Sequence, residues 1–412
     1  MSITAPRGFL AGGIRSGVKK QKKDLTLIVS ERPAAWAGCF TRNVVKAAPV
    51  IYDQRLLPLG RPVRGVVINS GNANACTGAR GLADAESMAR CLAGLLDCEA
   101  DEILVGSTGV IGVALPMDVI LSGVRALAPR LSNDEAAGLD AMEGIMTTDT
   151  IAKIAVEKII LGGKDVTIAG MAKGSGMIHP NMGTMLAYIT TDADISQALL
   201  QKVLSDSVRV TYNMVSVDGD TSTNDTVLIL ANGFAGNESI QTEDKNYQMF
   251  CEALHRVNRK LAKEIARDGE GASKLMEVTV SGADSEEDAR LMARAVASSN
   301  LFKAALFGAD ANWGRVLCAM GYSGARFDPE KIQLIFRGGA DSIAVMAHGD
   351  PIAFDEALAK KILSEKEIVV DIGMGNGKTQ AKAQNKDEIF AATAWGCDLT
   401  YDYVRINGEY RS

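Results

Sequence analysis

A threonine stands at the junction between a glycine-rich stretch and an apolar one, at position 184 in the segment KGSGMIHPNMGTMLAYITTDA (residues 173–193). A threonine hydroxyl is a weak nucleophile, but the free α-amine of an N-terminal threonine can activate it. If the Thr184 hydroxyl attacked the carbonyl of Gly183, the peptide bond would break and release such an amine, whose reference pKa of about 7.7–8.0 suits a general base at neutral pH. Gly183 has no Cβ, so the approach to its carbonyl is open. The same residues also fit an ordinary strand that begins at a β-branched Thr184, and the local sequence leaves both interpretations open.

Two glycine-rich segments that follow predicted strands could hold an anion or a developing oxyanion. They are INSGNANACTG (residues 68–78) and VGSTGVIGVALP (residues 105–116), and the second leads toward a helix predicted to start near Pro116. Such turns expose consecutive backbone N–H groups, which stabilise negative charge. Because tight turns also require glycine for steric reasons, each segment predicts either a site or a plain turn.

Two further loops resemble known ligand motifs but lack residues that those motifs require. DIGMGNGKTQ (residues 371–380) has Ile372 where a Walker A loop has a glycine six positions before its lysine, here Lys378. A hairpin turn is therefore the better prediction. VDGDTSTND (residues 217–225) lacks the acid or asparagine at position five and the glycine at position six of an EF-hand loop. Its many hydroxyls and acids can still serve a site of another kind.

The histidines and cysteines give little support to other catalytic chemistries. No Asp and Ser partners that would indicate a Ser-His-Asp triad are evident for His179, His255 or His348, and a lone histidine is more often structural. The seven cysteines are irregularly spaced and include no CxxC pair, which argues against zinc and thioredoxin-type sites. We expect no metal site, reduced thiols and a cytosolic protein.

Composition excludes several classes of protein. With 412 residues, of which 47% are apolar and 23% charged, the chain can form two or three domain-sized units with a sizeable core. The net charge is −6, and the basic run KKQKK (residues 19–23) predicts a solvated turn rather than a nucleic-acid-binding surface. No run of about 18 apolar residues predicts a membrane span, and the N-terminal residues lack the apolar core of a signal peptide.

Strand and helix patterns alternate along the chain, and these elements must position the candidate residues. Strands are predicted at residues 24–30, 64–70, 102–106, 152–161, 165–170, 275–281 and 331–337. Helices are predicted at residues 83–98, from a Ser132/Glu135 capping box toward Met142, at 243–267 and at 355–367. No Rossmann fingerprint follows the first strand, so the pattern favours an α+β or a layered α/β fold.

The whole chain resembles one enzyme family. The segments that carry the resemblance are DLTLIVSERPAAWAGCFTRN, NSGNANACTG, STGVIG, LPM, MTTDT, AKGSGMIHPNMGTMLAYITTDA, VDGDTSTND, ARDGEGASK, GADANWGRV and YVRINGEYRS. They are long, occur in order and are similar to those of the ornithine acetyltransferases of arginine biosynthesis, also called glutamate N-acetyltransferases.

The resemblance implies a self-cleaving enzyme with a threonine nucleophile. Cleavage between Gly183 and Thr184 would give an α chain of residues 1–183 and a β chain of residues 184–412, typically assembled as α2β2. Thr184 would take the acetyl group from N2-acetylornithine and pass it to L-glutamate in a ping-pong reaction. Thr108 and Gly109 match the oxyanion-hole pair of the family. The positions that match its substrate-contacting residues are Thr148, Lys173, Thr184, Glu270, Asn407 and Ser412.

The resemblance also implies a layered α/β sandwich, similar in mechanism to the N-terminal-nucleophile hydrolases but with its own topology. No cofactor is implied, although some members accept acetyl-CoA as a second acetyl donor. The chain departs from the family pattern at Gly183, where alanine is common, and at Ser412, where the last residue is often threonine. Gly183 is also small, so we expect self-cleavage to be retained. Ser412 keeps the hydroxyl, so we expect its substrate contact to be retained as well. Charge assigns Lys173 to the substrate carboxylate and Glu270 to its side-chain ammonium as a hypothesis.

Two alternatives share these sequence features. An amidohydrolase or aminopeptidase could use the same self-cleaved threonine and pass the acyl group to water. An uncleaved binding protein could keep the fold without catalysis. Denaturing electrophoresis and product analysis with and without glutamate distinguish the three hypotheses.

Overall fold

The structure, a computed structural model, describes residues 1–179, 185–375 and 390–409. The chain divides into two compact units. Unit 1 comprises Met1–Gly174, Asn181–Arg209 and Asp220–Leu261, and unit 2 comprises Ser175–Pro180, Val210–Gly219 and Ala262–Ser412. The predicted division after Gly183 concerns cleavage of the covalent chain, which this partition does not test.

Strands and helices alternate through both units. In chain order the strands are β1 (Phe9–Ile14), β2 (Leu25–Phe40), β3 (Val63–Asn72), β4 (Ile103–Val110), β5 (Lys153–Leu161), β6 (Lys164–Lys173), β7 (Leu186–Thr191), β8 (Val215–Ser216), β9 (Thr226–Ala231), β10 (Leu275–Ala283), β11 (Gln333–Gly338), β12 (Asp341–Ala347), β13 (Asp350–Pro351), β14 (Glu367–Gly373) and β15 (Phe390–Cys397). The α-helices are α1 (Ala48–Leu56), α2 (Gly78–Leu96), α3 (Met117–Leu127), α4 (Glu135–Ile145), α5 (Gln197–Val210), α6 (Lys245–Arg267), α7 (Glu286–Ser298), α8 (Asn300–Phe307), α9 (Trp313–Gly321), α10 (Glu356–Leu363) and α11 (Tyr401–Gly408).

Unit 1 is built around a mixed sheet with helices on both faces. The strand order is β4-β3-β2-β9-β7-β6-β5, and β1 pairs with β2. The side chains of successive residues in β2 point to opposite faces of the sheet, as expected for a β-strand. Leu27 belongs to the core that includes apolar residues of α2 and α3, whereas Ile28 belongs to the core that includes Met142 of α4. The predicted layered α/β class is therefore confirmed.

The register of this sheet relates the start of β7 to the ends of other strands that carry candidate residues. Leu186, two residues after Thr184, pairs with Lys173 on β6 and with Thr226 on β9. On the parallel pair of β3 and β4, which β2 separates from β9, Gly109 of β4 pairs with Gly71 of β3. Glycine-rich strand ends and the start of β7 thus belong to one sheet.

Unit 2 contains a second sheet with the strand order β13-β12-β11-β14-β10-β15-β8. Helix α7 packs against β10 and β15. Its N-terminus is capped by Ser285, whose hydroxyl accepts a hydrogen bond from the Asp288 N–H at 3.0 Å. No helix within the described part of the chain is both long and apolar enough to cross a membrane.

Several predicted boundaries are wrong in detail, for example those of α4, α10 and β7. The N-cap of α4 is Asp134, which accepts a hydrogen bond from Ala137 N at 2.7 Å, while Ser132 donates to Asp134 instead of capping the helix itself. Helix α10 ends at Leu363 rather than at residue 367, because β14 begins at Glu367. Strand β7 begins at Leu186 and not at Thr184.

Candidate active site

The end of β4 carries the predicted oxyanion-hole pair, Thr108 and Gly109. Thr108 is 4% exposed. Gly109 has φ +134°, and a Cβ there would lie 2.3 Å from the carbonyl carbon of Gly71 and 2.5 Å from the nitrogen of Asn72. Both the backbone conformation and this close approach exclude any larger residue. The glycine is therefore required by the packing of β4 against the end of β3.

A buried asparagine fixes the peptide group just before this pair. Asn224 donates from Nδ2 to the carbonyls of Ala73 at 2.6 Å and Ser107 at 2.8 Å, while its Oδ1 accepts from the Thr223 hydroxyl at 2.6 Å. The Ser107 carbonyl and the Thr108 N–H belong to the same planar peptide group. Asn224 thereby sets the orientation of that peptide plane.

Asp225, the next residue, contacts the chain immediately after the predicted nucleophile. Its Oδ1 accepts a hydrogen bond from Met185 N at 3.2 Å. Asp225 is fully buried, and this burial raises the pKa of its carboxyl well above its ordinary value. The loop of residues 217–225 therefore ends in two side chains that hold the surroundings of β7 and β4.

Thr148 and Lys173 lie in the same unit and are linked through Asp149. Lys173 ends β6 and is 3% exposed. Asp149 accepts hydrogen bonds from the Gly174 N–H at 2.6 Å and from the Lys153 ammonium at 2.7 Å. Burial alone would raise the pKa of Asp149, but the Lys173 and Lys153 ammonium groups outweigh it and hold the pKa below its ordinary value.

The basic run at residues 19–23 is only partly the solvated turn that the sequence predicts. Lys20 and Lys22 are exposed, but Lys19 is half-buried and donates from Nζ to the carbonyl of Met146 at 2.5 Å. Burial lowers the pKa of Lys19 to about 8, and the positive charge of Lys173 acts in the same direction. Lys19 thus supports the loop that leads to Thr148.

Glu270 and Asn407 contact each other in unit 2. Asn407 Nδ2 donates to Glu270 Oε2 at 2.9 Å, and the Glu270 N–H donates to the Ser175 carbonyl at 2.9 Å. A Cβ at Gly176 would lie 2.3 Å from Glu270 Oε2, so a larger residue there would displace this carboxylate. The predicted pair is therefore held in a defined position.

Thr400 connects the two segments that carry this pair. Its hydroxyl donates to the Gly271 carbonyl at 2.7 Å and accepts from the Tyr403 N–H at 3.3 Å, which caps α11. The helix that carries Asn407 is thus tied to the loop that carries Glu270.

Several predicted features lie outside the described residues. These are the cleavage pair Gly183 and Thr184, the C-terminal Ser412, and the part of the 371–380 loop beyond Gly375. Their predictions stay predictions.

The histidines do not form a recognisable catalytic group in the described residues. His179 Nδ1 lies 3.2 Å from the Ser216 hydroxyl, which fits a structural contact. His348 lies in the expected turn, with φ +53°. His255 is half-buried on α6 rather than fully at the surface, and this burial lowers its pKa. Among the residues with assigned positions, no group of three or more His, Cys, Asp or Glu is arranged to hold a metal ion.

Comparison with known proteins decides the family. The model of the ArgJ family matches residues 10–412. The chain belongs to the ArgJ family. The resemblance inferred from the sequence motifs is therefore confirmed over almost the whole chain.

Curated ArgJ relatives match this chain along their full length. A protein from Caldanaerobacter subterraneus subsp. tengcongensis is 51% identical over 410 residues, covering 100% of this chain and 98% of its own. A protein from Symbiobacterium thermophilum is 52% identical over 413 residues, with coverage of 100% and 98%. Both carry the name arginine biosynthesis bifunctional protein ArgJ. An acetyltransferase enzyme of arginine biosynthesis, as expected from the sequence, is thereby confirmed.

Two solved structures are similar to parts of this chain. The ArgJ protein from Bacillus halodurans is 43% identical, with a TM-score of 0.42 and coverage of 44% of this chain and 94% of that chain. The ornithine acetyltransferase from Mycobacterium tuberculosis, solved in complex with ornithine, is 40% identical, with a TM-score of 0.39 and coverage of 43% and 94%.

The structure of this ArgJ chain adds residues to which the sequence assigned no role. Asp149 lies in the segment MTTDT and Asn224 in VDGDTSTND, both of which are similar to segments of the family. Their hydrogen bonds join segments far apart in the sequence, so only the folded structure reveals what they hold. In the sequence, the many hydroxyls, acids and amides of these segments were the feature that could have indicated a role for Asp149 and Asn224.

Proposed function

We propose that this ArgJ protein transfers the acetyl group of N2-acetylornithine to L-glutamate through an acetyl ester on Thr184. The observation that carries the proposal is the match to the ArgJ family from residue 10 to residue 412, with relatives named as bifunctional proteins of arginine biosynthesis. The buried hydrogen bonds around Thr108 and Lys173 support it, because a transferase must hold its reacting groups rigidly.

The first step is self-cleavage. The Thr184 hydroxyl attacks the Gly183 carbonyl, the acyl group moves from nitrogen to oxygen, and water hydrolyses the resulting ester. The chain of residues 1–183 then ends in a carboxylate, and Thr184 gains a free α-amine. This amine then serves as the base for its own hydroxyl.

In the first half-reaction, Thr184 attacks the acetyl carbonyl of N2-acetylornithine while its α-amine takes the hydroxyl proton. The oxyanion that forms is stabilised by Thr108 and Gly109. The amide C–N bond then breaks, ornithine leaves with the proton on its amine, and acetyl-Thr184 remains.

In the second half-reaction, the amine of L-glutamate attacks this ester and N-acetylglutamate leaves. The Thr184 oxygen regains a proton. Both substrates carry an α-carboxylate, for which Lys173 is the proposed partner, and only acetylornithine carries the side-chain ammonium proposed for Glu270. Further substrate contacts are assigned to Thr148, Asn407 and Ser412.

The proposal includes the state of the protein in the cell. The α and β chains remain associated as α2β2 in the cytoplasm, and the reaction requires no cofactor. Acetyl-CoA is a candidate second donor, which would let the enzyme form N-acetylglutamate from L-glutamate directly.

Product analysis tests the proposed function. The purified protein is incubated with N2-acetylornithine, with and without L-glutamate, and in a third reaction with acetyl-CoA and L-glutamate. With glutamate we expect ornithine and N-acetylglutamate to accumulate over many turnovers, and without it no more than one equivalent of ornithine per Thr184. Release of acetate at the same rate without glutamate would identify a hydrolase, and an inactive single chain would identify a binding protein. The third reaction separately decides whether acetyl-CoA is a donor.

The Glu270→Gln variant should bind acetylornithine more weakly. Loss of a charged hydrogen bond is expected to raise its KM by about 10- to 100-fold. The KM for L-glutamate should stay unchanged, because glutamate has no side-chain ammonium. Steady-state kinetics with each substrate varied in turn measures both values.

Glu277→Gln is the control for this variant. Glu277 is also a partly buried carboxylate in unit 2, where it accepts a hydrogen bond from Trp395 Nε1 at 2.9 Å. If Glu270→Gln left the acetylornithine KM at the value of this control, Glu270 would not bind the ammonium.

A further inference from the structure

Asp149 is a buried carboxylate that the reaction steps above do not use. It is 3% exposed, and its side chain and that of its ion-pair partner Lys153 are both 0% exposed. Burying two charges is costly unless their remaining hydrogen-bonding capacity is satisfied. A pair of this kind next to the proposed substrate residues calls for a reason other than stability.

Each bond of Asp149 ends on a different segment. Oδ1 accepts from Lys153 Nζ at 2.7 Å, at the start of β5, and from the Gly174 N–H at 2.6 Å, just beyond the end of β6. Oδ2 accepts from the Thr147 N–H at 2.9 Å, within its own loop. One carboxylate therefore joins the loop of residues 147–149 to the ends of two strands.

The residues next to these hydrogen bonds are the ones proposed to contact the substrate. Thr148 lies between Thr147, whose N–H is bound, and Asp149 itself. Lys173 directly precedes Gly174, and its positive charge is close enough to lower the pKa of Asp149. Restraining the neighbouring backbone restrains where each of these two side chains can point.

A second bond restrains the same loop from its other end. Lys19 Nζ donates to the Met146 carbonyl at 2.5 Å. The loop is thus held at Met146 by a lysine and at Thr147 by Asp149, which leaves Thr148 on a segment with little freedom.

We propose that Asp149 is a positioning residue for substrate binding, which orients Thr148 and Lys173 through its bonds to Thr147 and Gly174. This inference rests on the proposed function, because it takes the substrate roles of Thr148 and Lys173 from it. Asp149 does not touch the substrate. Its loss should weaken the binding of both substrates, since both carry the α-carboxylate assigned to Lys173.

The test compares Asp149→Asn with Asp192→Asn. Asp192 is a matched control in unit 1: it is 1% exposed, accepts from the Thr167 N–H at 2.8 Å and pairs with Arg7 at 3.2 Å. It follows Thr191, at the opposite end of β7 from Leu186. Both variants lose one buried charge, but only Asp149→Asn alters the surroundings of Lys173.

For Asp149→Asn we expect the KM of both N2-acetylornithine and L-glutamate to rise by about tenfold. The kcat should change much less, because Thr184 and the oxyanion hole are untouched. Asp192→Asn should lower the melting temperature without altering either KM. This split between KM and stability separates a positioning role from a merely structural one.

A double variant keeps the inference testable if Asp149→Asn does not fold. Asp149→Asn with Lys153→Met removes both charges of the buried pair, so no uncompensated ammonium remains. Its KM values should be raised as in the single variant. Unchanged KM values in whichever of the two variants folds, or an equal rise in Asp192→Asn, would overturn the inference.

The outcome for the wild-type protein separates this inference from the proposed function. Wild-type protein that forms no N-acetylglutamate contradicts the proposed function itself. Active wild-type protein with unchanged KM values in the Asp149 variants contradicts only the positioning role.

Discussion

Replacing Thr184 with alanine is expected to leave an uncleaved chain of 43.6 kDa that transfers no acetyl group. Alanine has no hydroxyl to attack the Gly183 carbonyl, so neither the free α-amine nor the acetyl ester can form. Both effects follow from one atom, which makes this the largest change expected from a single substitution. Denaturing electrophoresis and the glutamate-dependent assay measure them on the same sample.

Thr184→Ser is the matched variant, because it keeps the hydroxyl and removes only the methyl group. It should give two bands, each near half the mass of the precursor, and measurable transfer. Thermal unfolding of both variants tests whether the alanine chain is folded. A folded Thr184→Ala protein that is still cleaved, or still active, would contradict the assignment of the nucleophile.

The pH dependence of the wild type provides a second check on the same residue. The α-amine must be neutral to accept the hydroxyl proton, and its reference pKa is about 7.7–8.0. We therefore expect kcat to fall as the pH decreases below this range, where the amine is protonated. A rate that stays constant down to pH 6 would argue against the amine as the base.

Sequence patterns predicted elements well where one periodicity was strong. The predicted helix at 243–267 corresponds to α6, whose apolar residues Phe250, Leu254, Val257 and Leu261 are all buried. Boundaries were less accurate because tertiary contacts decide them. At α4, for example, the hydroxyl of Ser132 bonds to Asp134, and it is Asp134 that caps the helix.

The candidate site could be predicted only in part, for a physical reason. A side chain's own chemistry and its family motif indicate a role for Thr108 or Lys173, but a supporting residue is recognised by what it contacts. Asn224 bonds to carbonyls of residues 73 and 107, over a hundred positions away along the chain. No local pattern contains that information, because it arises when β9, β4 and the end of β3 meet in one sheet.

Asn224→Asp is expected to lower kcat by about 10²–10³-fold, the loss typical for one oxyanion-hole donor. The substitution keeps the shape of the side chain but replaces the donor Nδ2 by an acceptor oxygen. A carboxyl group would then face the carbonyls of Ala73 and Ser107, to which Asn224 now donates at 2.6 and 2.8 Å, and even when protonated it could donate to only one of them. Repulsion would rotate the peptide group that carries the Thr108 N–H.

Substrate binding should change much less than kcat in Asn224→Asp. In the proposed mechanism, this peptide group would face the charge that develops in the transition state, and not the carboxylate or ammonium of the bound substrate. The signature is therefore the reverse of that expected for Asp149→Asn, in which KM rises and kcat is largely kept.

Asn237→Asp is the control, because it makes the same side-chain change at another buried asparagine. Asn237 is 6% exposed against 4% for Asn224, and its Nδ2 likewise donates to two carbonyls, those of Asp194 at 3.1 Å and Glu238 at 2.8 Å. Both variants should lose stability, because each removes a side-chain donor from two carbonyls. Only Asn224→Asp should lose turnover, and an equal loss of kcat in both would show that the effect arises from general destabilisation rather than from the Thr108 peptide.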